Sequence, residues 1–153
     1  MNGSLFPSLY QINTRVWLTE LSVKLGFRAT LDDIPDSELD SLAEKGFEWI
    51  WFLSVWQTGV EAQRISRQNP DWRKDFLNTL PDLEEDDILG SGFAITKYVV
   101  HELLGGDEAL ARLRKRLSER GMKLMLDFVP NHTAPDHSWV SDHPDFYIFF
   151  VND

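Results

Sequence analysis

The stretch that most constrains this chain is Met122-Lys123-Leu124-Met125-Leu126-Asp127-Phe128-Val129-Pro130-Asn131-His132-Thr133. It follows a glycine-closed helix and runs through an almost unbroken apolar segment, then turns abruptly to a carboxylate, a carboxamide and an imidazole. A short apolar run bounded by turn signals suits a parallel strand covered on both faces, and a short buried helix has the same pattern. Length and Pro130 favour the strand. Asp127, Asn131 and His132 then lie where a buried strand would deliver polar groups. The plainer alternative is a buried Asp satisfied by an Arg or by backbone amides, followed by an ordinary Asn-His turn.

Two further apolar segments precede it. Leu9 to Trp17 is rich in β-branched and aromatic residues and reads as a first strand; Phe47 to Leu53 reads as a second buried strand. Between them Leu18 to Asp33 reads as a loop, and Ile34-Pro35-Asp36-Ser37-Glu38 opens a helix, with acidic residues at the positive end of its dipole. Leu39, Leu42 and Ala43 give that helix its core face and Gly46 closes it. A second helix begins around Asp107 and Glu108, shows Leu110, Leu113 and Leu117 as its stripe, and stops at Gly121; its Arg and Lys residues read as a solvated face. Strand, helix and strand repeated in this order imply right-handed crossovers and an α/β fold with a parallel sheet.

Ser54 to Asp87 reads as a long polar loop whose interior, Val60 to Asn69, suits a helix. The carboxylates of Asn78 to Asp87 read as a solvated face, because they lack the alternating ligands and turn glycine of an EF-hand. The chain has 153 residues and a formal net charge of -10, which argues against nucleic acid, whose recognition begins with a basic surface. No cysteine is present, so no disulfide, metal thiolate or thiol nucleophile is available. No apolar run approaches the roughly 18 residues of a membrane span, and Met1-Asn2-Gly3-Ser4 lacks the basic start of a signal peptide, so a cytoplasmic location without membrane partners is the expectation.

Several of these segments together resemble one family. Asp127-Phe128-Val129-Pro130-Asn131-His132 is similar to the D-x-V-x-N-H segment that ends the third barrel strand of the alpha-amylase family of glycoside hydrolases and transglycosidases. Tyr10-Gln11-Ile12-Asn13-Thr14-Arg15 resembles the family's Y-Q-I-x-x-R opening. The family's L-G-x-x-x-I-W-L segment falls at the second strand, and Gly92-Phe93-Ala94-Ile95-Thr96-Lys97-Tyr98 resembles its G-Y-x-x-x-D-Y loop, with Phe93 for Tyr and Lys97 for Asp. Gly26-Phe27-Arg28-Ala29-Thr30 imitates the nucleophile segment G-F-R-x-D, but Thr30 replaces the carboxylate and the stretch follows the first strand, so it carries no catalytic role. His137-Ser138-Trp139 and His143-Pro144-Asp145-Phe146-Tyr147 resemble the start of the family's inserted second domain.

The resemblance implies the amino-terminal portion of a (β/α)8 TIM barrel, about the first three βα units, in residues 1–132, and the start of the inserted domain in 133–153. A plain barrel takes roughly 250 residues, so the sequence is expected to be an amino-terminal fragment, inactive and poorly folded by itself. The implied chemistry is retaining cleavage of alpha-glucosidic bonds in an alpha-glucan, an oligosaccharide or a sucrose-like substrate. His132 would bond a sugar hydroxyl, Phe93 would stack on the sugar, and Asp127 would anchor the site through an Arg on the fourth strand. The catalytic carboxylates would lie beyond residue 153. No cofactor is required; Asn131 would hold the loop or ligate calcium, although Ca²⁺ typically takes about 6 to 8 oxygens and only this one ligand is at hand. Two other readings stand beside this one. A metal hydrolase would use Asp127, His132, His137, Asp142 and His143, and a non-catalytic sugar-binding piece would stack sugars on Trp56, Phe93 and Trp139.

Overall fold

The computed structural model describes residues 5–148. The chain divides into two units, Met1–Val55 with Val99–Phe128 and Trp56–Tyr98 with Val129–Asp153.

In the first unit, strands β1 (Leu9–Asn13), β2 (Trp49–Leu53) and β5 (Lys123–Leu126) form a parallel sheet in the order β1-β2-β5. Gln11, Trp51 and Met125 occupy one register row. Each link between these strands is a long crossover that contains helices, as parallel pairing needs a connection of a dozen or more residues. Helices α1 (Thr14–Leu25) and α2 (Asp36–Glu44) lie between β1 and β2, and α5 (Gly106–Glu119) precedes β5. Ile50 and Phe52 of β2 and Ala109, Leu113 and Leu117 of α5 are completely buried.

The first strand is shorter than its composition suggests, and the segment read as a loop from Leu18 is mostly helix. Asn13 ends β1 and its side chain accepts the Val16 N–H at 3.4 Å, capping α1. Thr14, Leu18 and Leu21 then fall on one buried face, and Gly26 closes the helix at φ 77°. Tertiary burial of that face outweighs the β-propensity of Thr14 and Val16. Thr30, which stands in the carboxylate's place in the imitation of the nucleophile segment, caps a 3-10 turn over Leu31–Asp33 reciprocally with Asp33. The stripe of α5 is centred on Ala109, Leu113 and Leu117, with Leu110 only half-buried.

Arg114 and Lys115 of α5 are exposed, as a solvated face requires, whereas Arg112, Arg116 and the capping Arg120 are paired. Arg112 donates to both oxygens of Asp32 at 2.8 and 2.7 Å; Arg116 donates to Asp36 at 2.8 Å and to the Ile34 carbonyl at 2.5 Å; Arg120 donates to Asp40 at 2.6 Å. Both partners advance by four residues, one helical turn, so three pairs repeat along the two segments. Hydrogen bonds from Arg112 hold the Asp32 carboxyl below the usual carboxylate range, and those from Arg116 do the same for Asp36. A carboxyl depressed in the folded state contributes stability above its unfolded pKa of about 4 and loses it as pH falls through the folded value. Stability in urea is therefore expected to drop as the pH is lowered from 5 to 3. Replacing Arg112, Arg116 and Arg120 together by Gln should flatten that limb, and an unchanged limb would show that the ladder contributes nothing.

In the second unit, β3 (Trp56–Thr58) and β4 (Ile95–Val100) form a two-stranded sheet, with Val99 and Val100 already in the first unit. Helix α3 (Val60–Gln68) occupies the interior that suited a helix. A further helix, α4 (Pro70–Thr79), lies in what read as polar loop: Asn69 accepts from Asp71 N and Trp72 N, and Pro70 takes the first helical position. Ala62, Ala94 and Ala134 pack into a small buried cluster. The carboxylate run is tied down in part, since Arg67 donates to the Glu85 carbonyl at 2.6 Å and Arg73 pairs with the Glu85 side chain. Helix α6 (Ser138–Asp142) and a 3-10 turn over Pro144–Phe146 follow; Phe149 and Phe150 lie outside the described residues. Among the described residues no helix is long and apolar enough to cross a membrane.

Candidate active-site residues

In the first unit the carboxyl ends of the three parallel strands are marked by Asn13, Ser54 and Asp127. Asp127 is 7% exposed. Its Oδ1 accepts the Trp51 indole N–H at 2.8 Å and its Oδ2 accepts the Ser54 backbone N–H at 2.6 Å. A buried carboxylate needs such donors, because an unpaired one is costly away from water. Both come from the neighbouring strand β2 and the residue that follows it.

Ser54 is the one described non-glycine residue with positive φ, at 64°. In that conformation its N–H points to Asp127 and its carbonyl accepts from Arg15 Nε at 3.5 Å. Burial lowers the Arg15 pKa below its ordinary value. The His101 N–H donates to the Val55 carbonyl at 2.8 Å, and its Nδ1 accepts from Leu103 N at 3.2 Å. Burial, followed by the nearby charge of Arg15, holds the imidazole below its ordinary pKa. Sequence reasoning assigned no role to Trp51, Ser54, Arg15 or His101. The available signal was Trp51, an indole with a hydrogen-bond donor inside an otherwise aliphatic and aromatic run.

The remaining sites lie in the second unit. The segment Val129 to Ala134 is fastened at both ends and exposed between them. Val129 N–H donates to the Tyr98 hydroxyl at 2.8 Å, Ala134 N–H donates to the Ile95 carbonyl at 3.0 Å, and the Thr133 and Tyr147 hydroxyls lie 2.8 Å apart. Pro130, Asn131 and His132 form its exposed tip, with Asn131 Nδ2 3.5 Å from His132 Nδ1. Beyond it the Asp136 carboxylate accepts from Glu61 N at 3.2 Å, at the start of α3. A methyl group on Gly59 would stand 1.8 Å from Asp136 Oδ1, so the cap needs a glycine there. Phe93 is half-buried and Lys97 is exposed.

Asn131 offers one oxygen, and among the described residues no three His, Asp or Glu side chains gather as a metal-holding group. Asn131 is thus one oxygen of the about 6 to 8 that Ca²⁺ typically takes. His137 caps α6 by accepting from Trp139 N at 3.1 Å, and the His143 ring stacks on Phe146 at 4.8 Å, so both of these members of the metal-hydrolase set have structural contacts.

The family model for the alpha amylase catalytic domain matches residues 36–147. An alpha-glucosidase of Apis mellifera is 43% identical over 49 residues, covering 31% of this chain and 9% of that protein. An alpha-1,4-glucan:maltose-1-phosphate maltosyltransferase of Salinibacter ruber is 29% identical over 129 residues, covering 78% of this chain and 17% of the relative. The chain thus spans a small part of the length of the curated relatives it matches. Among solved structures, a maltogenic alpha-amylase, AmyB of Thermotoga neapolitana, superimposes with a TM-score of 0.62 over 94% of this chain and 28% of that one at 22% identity. That likeness is one of fold.

Proposed function

The chain belongs to the alpha-amylase family, and from that premise we propose that the protein acts on alpha-glucosidic bonds of oligo- or polysaccharides, by hydrolysis or transfer, with retention of configuration. Residues 1–132 supply the first three βα units of the barrel and 133–153 begin the inserted domain. Retaining chemistry needs two carboxyl groups about 5 to 5.5 Å apart, one as nucleophile and one as acid/base. The family carries these on later strands, so this part of the protein contributes substrate contacts, and by itself it is inactive. His132 bonds a sugar hydroxyl, Phe93 stacks on the ring, and Asp127 fixes the point where the D-x-V-x-N-H segment leaves the sheet. No cofactor is required, and Asn131 is the residue that would offer an oxygen to calcium.

The observation that supports this reading most is Asp127 itself. It is the first residue of that segment, it lies at the carboxyl end of a parallel strand, and it is buried with both oxygens bonded. Active sites of (β/α)8 barrels lie on that face. Phe93 and Lys97 stand where the family has Tyr and Asp, so a hydroxyl and a carboxylate contact are lost while the stacking surface is kept.

The test is turnover of malto-oligosaccharides and sucrose by the protein as its complete reading frame encodes it, with His132→Ala alongside. Loss of a hydrogen bond to the sugar should lower kcat/KM about tenfold or more. Sugar binding without turnover would support the non-catalytic reading instead, and turnover indifferent to His132→Ala would remove His132 from the site.

A further inference from the structure

The segment that carries His132 is held by one strand at two points, and one of those points is a side chain. Ile95 and Tyr98 both belong to β4; the carbonyl of the first takes the Ala134 N–H and the hydroxyl of the second takes the Val129 N–H. Ala134 is completely buried, so its end of the segment is anchored by packing as well as by the hydrogen bond. The Val129 end follows the buried Asp127 by two residues and has a hydrogen bond of its own. Val129 is half-buried, Pro130 to His132 are exposed, and the Tyr98 hydroxyl at 2.8 Å is the acceptor for its N–H.

Tyr98 is itself 47% exposed, yet its ring is oriented. The Trp56 ring on β3 meets it edge to face, with centroids 5.3 Å apart and planes at 68°. Such edge contacts favour one ring orientation beyond simple burial. A hydroxyl carried on an oriented ring is a fixed acceptor, and a peptide N–H bonded to it gives up conformational freedom that an exposed three-residue tip would otherwise keep.

We infer that Tyr98 is a positioning residue: its hydroxyl, steadied by Trp56, fixes the Val129 end of the loop so that His132 is presented to the sugar in one orientation. This rests on the sugar-binding role proposed above for His132. Tyr98 acts through the backbone of Val129, and the substrate contact belongs to His132.

The informative change is Tyr98→Phe, which removes the acceptor and keeps the ring and its edge contact with Trp56. In the protein from the complete reading frame, Val129 amide hydrogen exchange should accelerate about tenfold, while the amides of α3 and α4 keep their wild-type rates. With maltotriose as the probe, KM should rise about fivefold with kcat changed much less. In the His132→Ala background the same Tyr98→Phe change should leave KM within about twofold, because the residue it positions is gone. Unchanged Val129 exchange overturns the inference, and so does a KM effect of equal size in both backgrounds. If His132→Ala alone leaves KM unaltered, the sugar role of His132 fails; the exchange measurement then reports separately whether Tyr98 holds the loop.

Discussion

Asp127→Ala is expected to destabilise the protein by about 2–6 kcal/mol, the cost of leaving two donors without their acceptor at roughly 1–3 kcal/mol each. The donors are the Trp51 indole N–H at 2.8 Å and the Ser54 N–H at 2.6 Å; the second bond is buried and the first partly so. Ser54 works against the loss: its left-handed backbone, at φ 64°, costs roughly 1–2 kcal/mol in the folded state, and any relaxation of it in the variant recovers part of that. Asp127→Asn should fall between wild type and alanine, because one amide oxygen still accepts while the amide nitrogen faces a donor. Urea denaturation followed by far-UV circular dichroism measures the difference. An alanine variant within about 0.5 kcal/mol of wild type, the range of an ordinary surface change, would show that Asp127 is not a structural anchor.

Gly90→Ala should produce an effect of similar size through the backbone alone. Gly90 has φ 77°, and a methyl group there would lie 2.6 Å from Gln63 N and 2.7 Å from the Ala62 carbonyl carbon, both main-chain atoms of α3. Rotation of a side chain cannot relieve that contact. The left-handed conformation costs roughly 1–2 kcal/mol, and the forced shift of α3 adds an overpacking cost of about 1–3 kcal/mol, so a total of about 2–5 kcal/mol is expected. Gly46→Ala is the control. Gly46 has φ 81° but open space around its Cα, so only the conformational cost of roughly 1–2 kcal/mol applies. Equal losses in the two variants would mean that α3 yields to the methyl group. A larger loss for Gly90 would confirm that the chain passes too close to α3 for any side chain.

The order of the three parallel strands was legible in the amino-acid sequence because the apolar runs and their punctuation are local. Gly46 and Gly121 mark the ends of α2 and α5 with positive φ, and the interior of the polar region becomes α3. Asp127, Asn131 and His132 were identifiable as candidates for the same reason: polar groups at the end of an apolar strand stand out within a dozen residues. Helix α1 was missed because Thr14, Val16 and Trp17 favour a strand in isolation, which assigned its first turn to β1 and left Leu18 to Leu25 in the loop. What reverses that preference is the Asn13 cap and the burial of Leu18 and Leu21.

Partner identity was decided elsewhere. Arg112, Arg116 and Arg120 each meet an aspartate or carbonyl of the first helical crossover about eighty positions earlier, and Asp127 meets Trp51 and Ser54 76 and 73 positions away. Asp136 caps a helix whose recipient N–H lies 75 positions before it. Caps such as Asn69 on α4 and the periodic faces of helices depend on residues within about four positions of one another, so the sequence by itself determines most of them. Pairs this far apart depend on strand register and on the direction of each crossover. In this protein the sheet brings Trp51 and Met125 into one row, and that alignment determines which donors reach Asp127.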